Sequence, residues 1–289
     1  MERIDNPFEE RRQNQRLSDE IDKLQEKINR LEQLRDYDGQ DKVISSIEMM
    51  DHILSLSKDK QEVSMKSNIP GLDNYIQAFY GGELIIISGE TGQGKTLTAQ
   101  TLTHAFFQQD KGCLWFTYEV QPEQFLKQFH APLPIFFMPM ELKAKSLTWI
   151  EDRILEAKLK YQVTAVFVDH LHFLIDLRKG SNMSLEIGFV MRELKRLALK
   201  FNIAFFLLAH TNRMKLEGEP DIDSLRDSAM VGCEADNVFF VWRRKGTDNQ
   251  AVLKIAKNRR FGIMGKKVHL QKQGKYLVEV CNEQNYQDK

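Results

Sequence analysis

The chain has 289 residues, 42% of them hydrophobic, which is enough for one large domain with its own core plus an appendage. Its 41 basic and 41 acidic residues cancel to a formal charge of +0, so no global field draws it to nucleic acid or to a membrane surface, and any such binding has to come from local patches. Three scattered cysteines (Cys113, Cys233, Cys281) exclude a disulfide framework and metal-ribbon spacing, and the longest apolar runs, such as 203–209, are too short to span a bilayer; with no signal-peptide apolar region, a cytoplasmic protein in a reducing compartment is expected.

The first stretch differs from the rest. Residues 9 to 35 are dense in Glu, Lys, Arg and Gln and contain no Gly or Pro, while Leu17, Ile21, Leu24, Ile28 and Leu31 alternate four and three residues apart. That spacing predicts a long helix with a heptad seam. Two readings stay open: the seam packs on the chain's own core, or it engages a neighbouring chain. Asp36-Tyr-Asp-Gly-Gln40 reads as a break, followed by a second helical piece with Val43, Ile44, Ile47, Met50, Ile53 and Leu54 on one face and a polar linker over 55–66. The expected division is a helical arm and linker over 1–65, suited to oligomerisation, and a catalytic domain over 66–289.

Residues 83–88 form a short apolar run that breaks into Gly89-Glu90-Thr91-Gly92-Gln93-Gly94-Lys95-Thr96, and apolar residues at helical spacing follow. This is the strand–loop–helix context of a phosphate-binding P-loop. Glycines let the backbone curl its N–H groups toward phosphate oxygens, and the helix N-terminus adds partial positive charge at the same place. Lys95 is expected to reach the β- and γ-phosphates of a nucleoside triphosphate, and the Thr96 hydroxyl to ligate Mg²⁺.

Beyond it, strands and helices alternate. Strands are expected at 113–118, 163–168, 203–208, 238–242 and 251–256, with helices from 119 to 129, from 148 to 161 (Thr148 and Glu151 at capping-box spacing) and from 185 to 201. A Pro-punctuated segment at 132–139 can hold a short strand, and a hairpin around Gly274 ends the chain. The alternation predicts an α/β fold: a mainly parallel twisted sheet flanked by helices, with antiparallel strands after residue 236, preceded by the helical arm.

Three strand ends carry polar groups, where open α/β sheets place their ligands. Asp169 closes an apolar strand, as a metal-organising carboxylate does. Glu119 follows 113–118 and can orient and deprotonate water, or be a solvated strand-end acid. His210 closes 203–209 and can report a γ-phosphate, or be a buried histidine with ordinary partners.

The ordered series Asn68-Ile-Pro-Gly-Leu-Asp-Asn74, Phe116-Thr-Tyr-Glu-Val120, Val168-Asp-His-Leu171, Leu194-Lys-Arg-Leu-Ala198, Leu208-Ala-His-Thr-Asn-Arg213, Leu225-Arg-Asp-Ser228 and Lys257-Asn-Arg259 resembles the RecA-type core of DnaB-like ring helicases over about residues 66 to 280. The resemblance implies a RecA-like fold, with Glu119 as catalytic base, Asp169 in the metal shell, Arg259 as a finger reaching into the next subunit's ATP site, and Lys257 beside it. It also implies ATP and Mg²⁺ as ligands, single-stranded DNA as track, a hexameric homo-oligomer, 5′-to-3′ polarity, and primase or helicase-loader partners. Two loops that would face a ring's channel carry Arg178 and Lys179, and Arg213 and Lys215; Glu217, Glu219, Asp221 and Asp223 weaken the second electrostatically. Departures are His210, where DnaB members usually carry Gln, and the lack of any stretch resembling their helical collar or a primase domain. Alternatives are a RecA/KaiC-like DNA-stimulated ATPase and a nucleotide-dependent scaffold, neither of which unwinds DNA.

Overall fold

A helical first stretch and a later alternation of strands with helices divide the chain into two compact units, Met1–Gln61 and Glu62–Lys289. The computed structural model describes residues 7–39, 41–57, 62–143, 146–175, 183–210, 219–222, 225, 228–244, 246–247 and 249–280.

The first unit holds α1 (Pro7–Arg35) and α2 (Ser46–Ser57). Within the chain the seam residues of α1 are solvated, from Leu17 at 51% to Leu24 at 59% exposed. Helix α2 begins later than its apolar spacing predicts, because Ser45 and Glu48 form a reciprocal capping box: Glu48 N–H donates to Ser45 Oγ (3.1 Å) and Ser45 N–H to a Glu48 carboxylate oxygen (2.8 Å). Val43 and Ile44 therefore precede the helix, and Val43 is fully exposed. The expected 55–66 linker is also too long at both ends, since α2 runs to Ser57 and the first strand starts at Ser64.

In the second unit β1 (Ser64–Met65) pairs antiparallel with β2 (Phe79–Tyr80) around α3 (Pro70–Ile76). Then come β3 (Leu84–Gly89), α4 (Lys95–Phe107), β4 (Cys113–Thr117), α5 (Pro122–Leu126), α6 (Leu147–Tyr161) and β5 (Ala165–Asp169). A 3₁₀ turn (Leu171–Leu174), α7 (Met183–Phe201), β6 (Ala204–His210), α8 (Ser228–Glu234), β7 (Asn237–Arg243), β8 (Gln250–Asn258), β9 (Lys267–Gln273) and β10 (Tyr276–Glu279) complete it.

The main sheet has eight strands in the order β10-β9-β8-β7-β3-β6-β5-β4. β4, β5, β6, β3 and β7 are parallel; β7 through β10 are antiparallel, as the missing helices after residue 236 predict. Leaving β3, the chain crosses to the β4 edge, returns strand by strand to β6, and then places β7 on the other flank of β3. The C-terminal ends of the five parallel strands thus meet at one end of the sheet around the P-loop.

Every residue of β3, β4 and β5 is buried, which accounts for their continuous apolar runs. Leu84 and Ile86 join one core with α6 and α7, while Ile85 and Ile87 join the other with α3 and α4. The second is aromatic: Phe167 stacks on Phe206 (4.5 Å) and on Trp115 (4.6 Å), whose indole N–H donates to Thr103 Oγ1 at 3.0 Å.

Three expectations change in this unit. The helix after residue 118 stops at Leu126, and Phe125 and Phe129 turn inward against Trp115. The cap of α6 is Ser146, extended at φ −114°, whose hydroxyl accepts from Trp149 N–H; Thr148 is already inside the helix. The Pro-punctuated segment gives only a one-residue bridge, Phe137 against Leu114. No helix among the described residues is long and apolar enough to cross a membrane.

Candidate active site

The parallel register sets the site. Gly89 lies beside His210, and Asp169 pairs with Thr117 on one side and Leu208 on the other, so residues far apart in sequence end on one sheet edge. The loop between β3 and α4 needs its glycines: Gly94 sits at φ +106°, and a Cβ on Gly89 would collide with the Val241 carbonyl oxygen of the adjacent strand.

Lys95, only 6% exposed, folds back over this loop. Its ammonium donates to the Gly89 and Glu90 carbonyl oxygens, both at 3.0 Å, and faces His210 Nδ1 at 3.0 Å. That contact requires Nδ1 as acceptor and assigns the ring proton to Nε2. Burial pulls the Lys95 pKa down, and the charges of Asp169, Glu119 and Glu90 hold it up.

Thr96 Oγ1 donates to Asp169 Oδ2 at 2.9 Å. The other oxygen, Asp169 Oδ1, is buried without a hydrogen-bond partner among the described residues. Burial pushes the Asp169 carboxyl up to about 6; the Glu119 charge adds to this, while the Thr96 hydroxyl and Lys95 oppose it. A hydroxyl and a half-satisfied carboxylate next to a glycine cradle fit an oxygen-seeking divalent cation such as Mg²⁺ beside a polyphosphate.

Glu119 stands just beyond β4, 40% exposed, with its carboxylate 3.6 Å from His170 Nδ1. His170 packs edge-on to His210 at 4.5 Å between ring centroids. Burial, with the charges of His210, His172 and Lys95, drives the His170 pKa down to about 3, so its imidazole is neutral at physiological pH.

These groups open onto a cleft of about 600 Å³. Its far wall holds cations with no motif to announce them: Lys127, Arg243, Lys272 and Lys275. They come from the α5 region and the antiparallel strands, and only the fold brings them over the loop. Gln93 ties the two walls together by accepting from Arg243 N–H at 2.7 Å, and Lys275 Nζ donates to the Lys127 (2.6 Å) and Phe129 (2.9 Å) carbonyl oxygens.

Lys257 and Arg259 do not join this cleft within the chain. Because β8 runs antiparallel to β7, pairing Asn258 with Asn237, they lie at the opposite end of the sheet, where β3 begins. The length of β3 puts about 17 Å between the two ends. There Arg259 donates to Asp236 Oδ1 at 3.0 Å and to the Cys233 carbonyl oxygen at 3.1 Å, and Lys257 donates to the carbonyl oxygens of Gly232 and Cys233. Arg178, Lys179, Arg213 and Lys215 lie outside the described residues.

Known proteins resemble this chain. The family model for the DnaB-like helicase C-terminal domain matches residues 130–277, and a model described as KaiC matches 65–133. The replicative DNA helicase DnaB of Rickettsia prowazekii is 22% identical over 234 residues, covering 66% of this chain and 48% of that protein. The probable plasmid replicative DNA helicase of Chlamydia trachomatis is 29% identical over 127 residues, covering 43% and 28%. The chain thus spans about half the length, or less, of these relatives. Among solved structures, a DnaB-like replicative helicase described with its interactions with primase superposes at TM-score 0.68 with 18% identity, covering 95% of this chain and 77% of that one. A second solved structure, an ATPase domain on its own, superposes at TM-score 0.70 with 17% identity, covering 83% and 100%. At such identities the superpositions speak for the RecA-like fold, and the family match speaks for descent. With its family match running over more than half of the chain, the protein belongs to the DnaB-like helicase C-terminal domain family.

Proposed function

We propose that the chain is the motor of an ATP-dependent replicative DNA helicase, a cytoplasmic ring of identical subunits that translocates on single-stranded DNA. ATP lies in the cleft, with its phosphates on the backbone N–H groups of the 89–94 loop. Lys95 exchanges its carbonyl partners for phosphate oxygens. Thr96 and Asp169 hold Mg²⁺, which when bound neutralises charge on the phosphates. Glu119 orients the attacking water and accepts its proton. His210, already in contact with Lys95, senses the γ-phosphate. Arg259, with Lys257 beside it, enters the neighbouring subunit's cleft and stabilises charge on the transferred phosphoryl group, a contribution of about 10³–10⁵ in rate. The 1–65 arm docks on an adjacent subunit through its Leu17–Leu31 seam, and the loops bearing Arg178, Lys179, Arg213 and Lys215 grip the DNA backbone. The resemblance to a helicase described with primase makes primase, or a loader, the natural further partner.

The observation that best supports this reading is the separation of Lys95 and Arg259 at opposite ends of one sheet: Arg259 cannot reach the phosphate cradle of its own chain. Two variants test it, Lys95→Ala and Arg259→Ala. Each alone should be inactive. Mixed, they should regain part of the DNA-stimulated ATP turnover, because a Lys95→Ala subunit still donates Arg259 to an intact cleft next door. Full turnover by a monomer, or by Arg259→Ala, sinks the proposal. Strand displacement on a forked substrate separates it from a RecA/KaiC-like ATPase.

A further inference from the structure

Helix α1 carries a row of apolar side chains that nothing among the described residues covers. Leu17, Ile21, Leu24, Ile28 and Leu31 are each more than half exposed, and they form a stripe about 21 Å long on one face of the helix. The row has an internal order. With Ile21 and Ile28 at the a positions of a heptad, Leu17, Leu24 and Leu31 fall at d. A β-branched residue at a with leucine at d favours two parallel strands, whereas the reverse assignment, or isoleucine at both, favours three or four. Arg35, held by Asp36 at 3.0 Å, stands at the next a position and ends the seam. The flanks suit a second copy as well. Lys27 falls at g and Glu32 at the following e, so in a parallel, in-register pair each Lys27 faces the Glu32 of the other chain. Glu20 at g meets Gln25 at e, which sets no like charges opposite one another. Five residues apart on one helix, Lys27 and Glu32 are not neighbours within their own chain.

We infer that two copies of this chain pair through α1 as a parallel, in-register, two-stranded coiled coil, so that the seam docks on the same seam of another subunit. That names the surface the arm meets in a ring, and this much rests on the helicase reading; the pairing itself does not. Subunits of a cyclic ring all face the same way, so neighbouring arms leave it side by side and in parallel. Five apolar layers are few for a free coiled coil, but a ring holds neighbouring arms at an effective concentration on the order of 1 mM, where a weak seam closes.

The test is disulfide trapping in the full chain, with Cys233 and Cys281 changed to Ser and the buried Cys113 left in place. Mild oxidation accumulates even a sparsely populated pair, so ring assembly is not a condition. Leu17→Cys should convert to a covalent dimer about tenfold or more faster than Glu26→Cys, whose f position faces away from a partner helix. The double variant Leu17→Cys/Leu31→Cys should also stop at a dimer, since both bonds join the same two chains. On the Leu17→Cys background, Glu32→Lys should slow trapping about threefold or more, and adding Lys27→Glu should restore it. Four results would each overturn the pairing: equal rates at positions 17 and 26, a ladder of larger species from the double variant, faster trapping between mixed Leu17→Cys and Ile28→Cys chains (which antiparallel strands would allow), or no rescue by the charge exchange. Loss of DNA-stimulated turnover in the parent, with trapping intact, would instead sink the helicase reading and leave the pairing in place.

Discussion

The two ends of the central strand β3 each hold a buried aspartate, Asp169 at 2% exposure near its last residue and Asp236 at 7% near its first. Asp236 has partners on both oxygens. Its Oδ2 accepts from Leu84 N–H (2.8 Å) and Lys195 Nζ (2.6 Å), and its Oδ1 from Arg259 (3.0 Å). Asp169 is half empty, with Thr96 on one oxygen and no hydrogen bond among the described residues on the other. The difference separates two uses of a buried charge. A carboxylate with both oxygens hydrogen-bonded holds elements in place; one with an oxygen left bare in a cleft is waiting for a ligand and is stabilised only when it arrives. The Asp236 end therefore braces the strand that leads to the P-loop while presenting Arg259 outward.

Arg259→Ala gives the contrast its largest expected effect. DNA-stimulated turnover should fall about 10³-fold or more, yet the unfolding midpoint should barely move, because this guanidinium is 53% exposed and its ion pair with Asp236 is worth under about 1 kcal/mol to the fold. A large loss of stability in the same variant would mean that Arg259 is a brace and not a finger.

Next comes Asp236→Ala, which strands the buried Leu84 N–H and leaves the part-buried Lys195 ammonium without its carboxylate. Denaturant titration should record a loss of about 3 kcal/mol. An unaltered midpoint would show that Asp236 braces nothing.

At the other end the sign reverses. The Asp169 carboxyl, raised to about 6 when folded, sits near 3.9 when unfolded, so between those values the folded state binds more protons. Stability of the ligand-free protein should fall as pH rises from about 4 to 6 and then level off. Asp169→Asn should therefore be more stable than the parent at neutral pH, on the order of 2 kcal/mol, and lose that advantage near pH 4. Unfolding curves at the two pH values, with chelator present, decide it; a variant advantage independent of pH refutes the account.

The smallest expected effect is at the braced end. Arg260 lies over the Tyr80 ring at 3.5 Å and reaches Glu62 at 3.0 Å. Arg260→Ala should cost about 0.5–1 kcal/mol, readable as a small shift in thermal midpoint. A shift several times larger would mean that this surface network supports more of the unit than the solvated pair implies.

Much of the sheet end around the 89–96 loop was legible because its signals are local. The 89–96 loop encodes its own curl, and an acid or histidine closing an apolar run marks a strand end wherever that strand lies. Other features were not. Ser146 displaced Thr148 as the cap because capping depends on an extended backbone at that residue, which spacing does not reveal. The role of Asp236 hides in a motif whose chemistry shows only when β3 and β7 pair. Lys272 and Lys275 look like ordinary hairpin cations until the antiparallel strands swing them over the P-loop.

The order of residues by itself settled the strand, glycine loop and helix over 84–107, the mainly parallel α/β plan with its antiparallel end, and the long α1 helix, since each follows from spacing along a few covalent steps. Only the tertiary structure decided that Lys95 and Arg259 stand at opposite ends of one sheet, and that His170 and His210 meet beside Glu119. Strand direction and register set those distances, and both are fixed by which apolar faces can be buried together across more than a hundred intervening residues.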